Sequence, residues 1–214
     1  MAASDTSSPP PPQSPITPEA FFRDKVAPQF SQRINDLRRQ IANLEQQVQE
    51  RTAAQATVRV VIEGAGGGTW YLNVNRGEMT VTAAPTFPPL MTVYQPRPYF
   101  DWAASMATEA GLFGPGARSN QGELTKSRIE RLKLLKGLIQ FTFTHLPDGG
   151  EQSFCIQLGD GERPAAAQTV LSMKAEDAQK MARGEINPQA AFMGGVIKVT
   201  GDMALAMQFG AAMM

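Results

Sequence analysis

The chain has a single cysteine, Cys155, and a single histidine, His145, among 214 residues. One cysteine excludes an internal disulfide framework and a clustered thiolate site for zinc, and it suits a reducing, cytoplasmic setting. One histidine leaves few groups able to act as a base near neutral pH, and no partner motif stands beside it. Net charge is missing too, because twenty basic residues balance twenty acidic ones. The long-range field that gathers a polyanion is therefore absent, and nucleic acid is not an expected partner. No run approaches the roughly 18 consecutive apolar residues of a spanning helix; Met203 to Met214 comes nearest and is interrupted by Gln208 and Gly210. The acidic residues show no metal-ligand spacing. Neither metal nor cofactor is expected, and no residue is assigned a catalytic role.

What is present is enough apolar material, 42% of the chain, for a soluble core. Residues 1–17 are rich in Ser and Pro and read as a disordered tail, without the positive start and apolar stretch of a secretory signal. The last residues, Gly210 to Met214, carry no Ser-Lys-Leu peroxisomal address. Residues 18–56 form an N-terminal helical segment. Thr17 can cap free amides, Pro18 tolerates a first helical turn, and Glu19 suits the positive end of the dipole. Pro28 is predicted to break or kink this helix. From Phe30 the apolar residues Phe30, Ile34, Leu37, Ile41, Leu44 and Val48 recur at alternating spacings of four and three, a heptad seam. The seam alone favours a parallel two-stranded coiled coil, but such a homodimer would set Arg33 of one chain against Arg38 of the other. A homo-oligomer or partner protein bound through residues 30–48, or packing on the chain's own sheet, all stay open.

The period then changes. Residues 58–63, 69–75, 78–82 and 90–95 are short runs rich in Val, Tyr, Thr and Ile between Gly- or Pro-containing turns, and they read as four strands of an antiparallel meander. A helix over about 99–110, a Gly/Pro-rich loop over 111–122 and a basic helix over 125–136 follow. From Gly137 the order starts again: strands over 138–145, 152–158 and 168–173, then a helix over 176–183. Leu90-Met91-Thr92-Val93-Tyr94 before one helix parallels Gln168-Thr169-Val170-Leu171-Ser172 before the other, so residues 58–136 and 137–214 read as two related modules, the first degenerate. One larger mixed sheet is the competing reading. The fold class is α+β, with one or two antiparallel sheets flanked by helices. Trp70, Tyr71, Tyr99, Phe100 and Trp102 are expected in the first module's core.

The segment from Met181 to Met207 has its own logic. Asn187-Pro188 restarts the chain after a helix, Phe192 adds bulk, Gly194-Gly195 allow a tight turn, and residues 196–200 alternate as a strand. Gly201-Asp202 then precede a helix that is apolar nearly all round and heavy in methionine. This order resembles the C-terminal signature of the sterol carrier protein family, in which Asn-Pro, Ala-Phe, a glycine turn, a Lys-centred strand and Gly-Asp or Gly-Asn lead into a Met/Leu/Ala-rich helix. The resemblance is strongest over residues 138–214. It implies an apolar tunnel between sheet and helices, closed by the C-terminal segment.

The functional expectation is binding or transfer of an apolar lipid (a sterol, fatty acid or acyl chain) without catalysis. Phe192, Met193, Met203, Leu205, Met207 and Phe209 are the candidate ligand contacts, with Phe141, Phe143, Phe154, Ile156 and Met181 as pocket walls. Flexible thioethers suit variable ligand shapes, although they also fill irregular cores. The alternative is an assembly or adaptor protein with a pocketless fold, recruiting partners through its heptad helix. An enzyme would have to use His145, read as a surface residue, or Cys155, read as a buried inert thiol. The run from Glu63 to Gly68 leads into a strand and so lacks the helix amino end of a phosphate loop. Lys126, Arg128, Arg131, Lys133 and Lys136 make the 125–136 helix basic, suited to a solvated connector or to transient contact with a membrane surface.

Overall fold

The computed structural model describes residues 16–106, 124–146, 149–159 and 161–213. The Gly/Pro-rich loop over 111–122 and all but the end of the tail over 1–17 lie outside the described residues. The chain divides into two compact units, residues 1–47 and 48–214.

In the first unit the Thr17 hydroxyl accepts from the Ala20 amide at 3.2 Å and caps α1, Pro18–Phe21. A π-helical turn, Phe22–Val26, leads into α2, Ala27–Thr52, whose residues from Val48 onward belong to the second unit. Pro28 therefore does not end the helix. A proline has no amide hydrogen, and its ring crowds the carbonyl four residues back. The turn ahead of Pro28 is widened, with the Ala27 amide donating to Phe22 five residues earlier, and the helical path continues.

The second unit is built on one eight-stranded sheet: β1 (Gln55–Glu63), β2 (Gly68–Asn75), β3 (Glu78–Thr82), β4 (Pro89–Pro96), β5 (Gly137–Thr144), β6 (Gln152–Leu158), β7 (Thr169–Lys174) and β8 (Lys198–Gly201). Their order is β3-β2-β1-β4-β6-β5-β7-β8. The helices are α3 (Arg97–Met106), α4 (Lys126–Leu132), α5 (Ala175–Ala182), α6 (Pro188–Met193) and α7 (Met203–Met213). The α+β class and most element positions match the sequence reading.

The pairing differs from it. The sheet is mixed, because β1 runs parallel to β4 and β5 parallel to β7. The first four strands are thus no meander, since β4 crosses to the far side of β1. A buried polar network holds that crossover. Thr57, fully buried on β1, donates its hydroxyl to Asn73 Oδ1 at 2.6 Å, and the amides of Thr86 and Phe87 in the connection donate to Asn73 Oδ1 and Thr57 Oγ1 at 2.8 and 3.0 Å. Each of these groups would be costly to bury without its partners.

Nor do residues 58–136 and 137–214 form separate sheets, because β4 pairs antiparallel with β6. The local order nevertheless repeats. A hairpin (β1-β2, β5-β6) is followed by a strand parallel to its first member (β4, β7) and then by a helix (α3, α5). The chain distance from Leu90 to the start of α3 equals that from Gln168 to the start of α5. The first set has β3 on the outside of its hairpin, whereas the second has β8 beyond its parallel strand. At the junction, β4 meets β6 where the first set has no β8 counterpart and the second no β3 counterpart.

Candidate functional site

Side-chain alternation sorts the central strands into two faces. On one face the registers bring Phe141 beside Phe154 and Leu171, Phe143 beside Met173, and Ile156 between Ile139 and Val93. On the other lie Thr92, Tyr94, Cys155, Gln157, Gln140 and Thr142. Part of the polar face is bonded within itself: the Tyr94 hydroxyl donates to Gln157 Oε1 at 3.0 Å, and the Arg163 guanidinium sits 4.2 Å from the Tyr94 ring centre and pairs with Glu63 at 2.6 Å. Cys155 belongs to this face. Burial pushes its thiol up, partly opposed by the neighbouring Arg163 cation.

The apolar face, with α5 and α7, lines a partly open cavity of about 190 Å³. Met91 from β4, Phe141 and Phe143 from β5, Phe154 and Ile156 from β6, and Met173 from β7 form its sheet wall. Ala178 and Met181, one turn apart on α5, and Phe209 and Met213, one turn apart on α7, form the helical wall. All ten lining residues are apolar. Phe141 and Phe154 are stacked with centroids 4.8 Å apart, and Phe209 meets Phe141 edge-on at 6.0 Å. Behind them Tyr99 of α3, 1% exposed, packs on Phe154 at 4.9 Å and Phe143 at 6.0 Å. Burial raises the Tyr99 phenol well above its ordinary range. Trp102 also packs on Phe143, at 5.5 Å. Tyr99 and Trp102 therefore back the cavity from the first strand set, whereas Trp70 is 37% exposed and Phe100 lies under the Arg97 guanidinium. The five aromatics do not form one core.

The signature segment is explained by the way it closes this wall. Asn187 caps α6, its side-chain oxygen accepting from the amides of Gln189 and Ala190 at 2.9 and 3.2 Å, with Pro188 in the first turn. Gly201 has φ +91°, and a Cβ there would fall 2.1 Å from the Gln168 carbonyl oxygen. The next residue uses that close approach. The Asp202 amide donates to Gln168 O at 2.8 Å, its carbonyl accepts from the Thr169 hydroxyl at 2.8 Å, and its carboxylate accepts from the Leu205 amide at 3.0 Å, opening α7. Gly201-Asp202 thereby fixes α7 against β7.

Of the residues expected at a pocket, Phe141, Phe143, Phe154, Ile156, Met181 and Phe209 line the cavity. Phe192, Met193, Met203, Leu205 and Met207 do not. Leu205 is buried against Gly137, Phe192 is half-buried, Met193 is 80% exposed, and Met203 and Met207 are 47% and 60% exposed. On α7 the helical period turns Leu205, Ala206, Phe209 and Ala212 inward, which leaves Met203 and Met207 on the outer side. Met91, Met173, Ala178 and Met213 were missed. Alternation along β4 and β7 is the signal that marks the first two, but only the β4-β6 pairing brings Met91 to this site. His145 is exposed, with φ 55° and its ring Nδ1 3.0 Å from Thr144 Oγ1. Among the described residues no group of three or more His, Cys, Asp or Glu side chains could hold a metal ion, and no helix is long and apolar enough to cross a membrane.

Comparison with known proteins places the cavity in context. Residues 120–214 match the SCP-2 sterol transfer family, in agreement with the resemblance read from the signature. Curated relatives include hydroxysteroid dehydrogenase-like protein 2 of Danio rerio, 46% identical over 50 residues, which are 23% of this chain and 12% of that protein. The Xenopus tropicalis protein of the same name is 35% identical over 88 residues, 37% of this chain and 20% of that protein. The chain thus spans about a fifth or less of the curated relatives it matches. Similar solved structures include apo sterol carrier protein 2 from Yarrowia lipolytica, with 22% identity, TM-score 0.32, and coverage of 41% of this chain and 74% of that one. Palmitated SCP2L2 from Aedes aegypti has 17% identity, TM-score 0.30, and coverage of 41% and 92%.

Proposed function

Taking residues 120–214 as a domain of the SCP-2 sterol transfer family, we propose that this chain binds an apolar lipid in the cavity between β4-β6-β5-β7 and helices α5 and α7, and carries it without catalysis. The observation that carries the reading is the cavity wall, in which four methionines and four phenylalanines meet with no polar side chain among the lining residues. The volume limits what enters. At about 190 Å³ the space is a little larger than the roughly 150 Å³ apolar cavity that accepts benzene. It therefore holds one ring or roughly six to eight carbons of a chain, a burial of about 5–6 kcal/mol at ~0.8 kcal/mol per methylene. A longer acyl tail or a whole sterol needs room that Met91, Met173, Met181 and Met213 can yield by rotamer change. Loading from a membrane surface belongs to the same proposal, since Leu134 is 83% exposed beside Arg131, Lys133 and Lys136, all exposed, at the end of α4. The reading assigns no step to Cys155, whose thiol lies on the face of the sheet away from the cavity, or to His145, which is exposed.

Native mass spectrometry of the purified protein, followed by extraction and lipid analysis, tests the reading. Ala178, 4% exposed at the cavity wall, supplies the control. Ala178→Phe fills the space, so it is expected to cut uptake of a fluorescent fatty acid at least tenfold while leaving the melting temperature equal or higher. Undiminished uptake in a folded Ala178→Phe protein would place the lipid elsewhere.

A further inference from the structure

The helix α2 carries a face that nothing in its own unit covers. None of its residues is buried, and the six seam residues are between 36% and 69% exposed. Most helical stability in proteins comes from packing an amphipathic face. We propose that the occupant of this seam is the α2 helix of a second copy of the chain, running antiparallel about a two-fold axis at Arg39.

The register follows from the seam. With the axis at Arg39, Phe30 meets Val48 of the second copy, Ile34 meets Leu44, and Leu37 meets Ile41, so every seam residue finds an apolar counterpart and none is left over. The β-branched residues at one core position and leucines at the other suit a parallel pair equally well. Charge separates the two. Residues 30–39 hold three arginines against one aspartate, whereas residues 40–48 hold one glutamate and no cation. A parallel pair stacks like on like and sets Arg33 against Arg38 on both flanks. The antiparallel pair lays the basic half along the acidic half, with Arg33 facing Gln47 and Glu45 facing Ser31. One like-charge contact remains, Arg38 against Arg38 beside the axis, between long exposed arms that can splay into solvent. Sliding by one heptad would pair Arg38 with Glu45 but uncover Phe30 and Ile34, and exposed ion pairs do not repay that loss of apolar contact.

The test uses the full-length protein. Light scattering after size exclusion is expected to give a dimer mass at tens of micromolar, and Leu37→Glu with Ile41→Glu, which puts charge at the centre of the seam, is expected to give a monomer with unchanged circular dichroism. Both positions are exposed on a helix that buries nothing, so the variant keeps its fold. Orientation is read with a nitroxide on Gln29→Cys in a Cys155→Ala background. Antiparallel pairing offsets the two labels by roughly 30 Å along the axis at 1.5 Å per residue, whereas parallel helices 8–10 Å apart hold them within roughly 20 Å. A monomer at every concentration, a dimer indifferent to the seam substitutions, or the short distance would each overturn the proposal. Lipid binding by a monomeric variant leaves the functional reading untouched, so the two ideas fail separately.

Discussion

Gly201 shows how a motif residue can be fixed by geometry. Its positive φ disfavours any side chain, and the Gln168 carbonyl occupies the place of a Cβ. Gly201→Ala is expected to cost about 2–4 kcal/mol through strain and displacement of α7. Gly149, with φ +80° and nothing within 4 Å of its would-be Cβ, is the comparison. Gly149→Ala carries only the left-handed penalty of about 1–2 kcal/mol. Urea unfolding of the two variants measures the difference, and equal costs would show that the Gln168 contact is unimportant. The sequence exposed the caps and turns of this segment, because Asn-Pro and Gly-Asp have local meanings. It did not expose the reason for Gly201, which lies in a carbonyl thirty-three residues away in the chain.

At the scale of elements, strands and helices differ in how much their sequence reveals. Phe141, Phe143, Phe154 and Ile156, expected at the wall from their apolarity and the family resemblance, share one face of β5 and β6, because a strand with one apolar face can be oriented only one way. Helix α7 is apolar nearly all round, so its sequence could not choose an inner side, and docking through Asp202 made the choice. Met203→Gln with Met207→Gln is therefore expected to leave lipid uptake within about twofold of the parent, since outward surface changes are nearly neutral. Phe209→Ala removes a ring from the wall and is expected to lower both uptake and stability, the latter by about 3–5 kcal/mol. Binding titrations with one fluorescent fatty acid check both, and a loss confined to the double glutamine variant would reverse the assignment. The α2–α4 contact was likewise invisible in sequence. The Glu50 carboxylate accepts from the Ser127 amide and hydroxyl at 3.2 and 2.6 Å, bonds that favour its charged form and hold its carboxyl pKa below the usual carboxylate range.

Across the whole molecule, the decisive contact is β4 with β6. It makes one sheet of two strand sets, carries Met91 to the cavity, and leaves Tyr99 and Trp102 supporting the rings of the second set. Residues 48–214 should consequently unfold in urea as one cooperative transition, with tryptophan fluorescence and far-ultraviolet circular dichroism coincident. Two separated transitions would show that the sets are independent despite their shared sheet. Two related modules, the account we propose for the repeated order in sequence, fit the topology: each set lacks an edge strand where the other supplies one.

The sequence by itself determined the alternation that gives the sheet an apolar face, the heptad seam of α2, and the turn and capping chemistry of the signature, because each depends on residues close together in the chain. Tertiary structure alone decided the parallel crossovers, the joining of the strand sets, the inward face of α7 and the size of the cavity. Those outcomes depend on distant backbone groups satisfying one another and on the packing of side chains from different elements, for which local periodicity carries no signal.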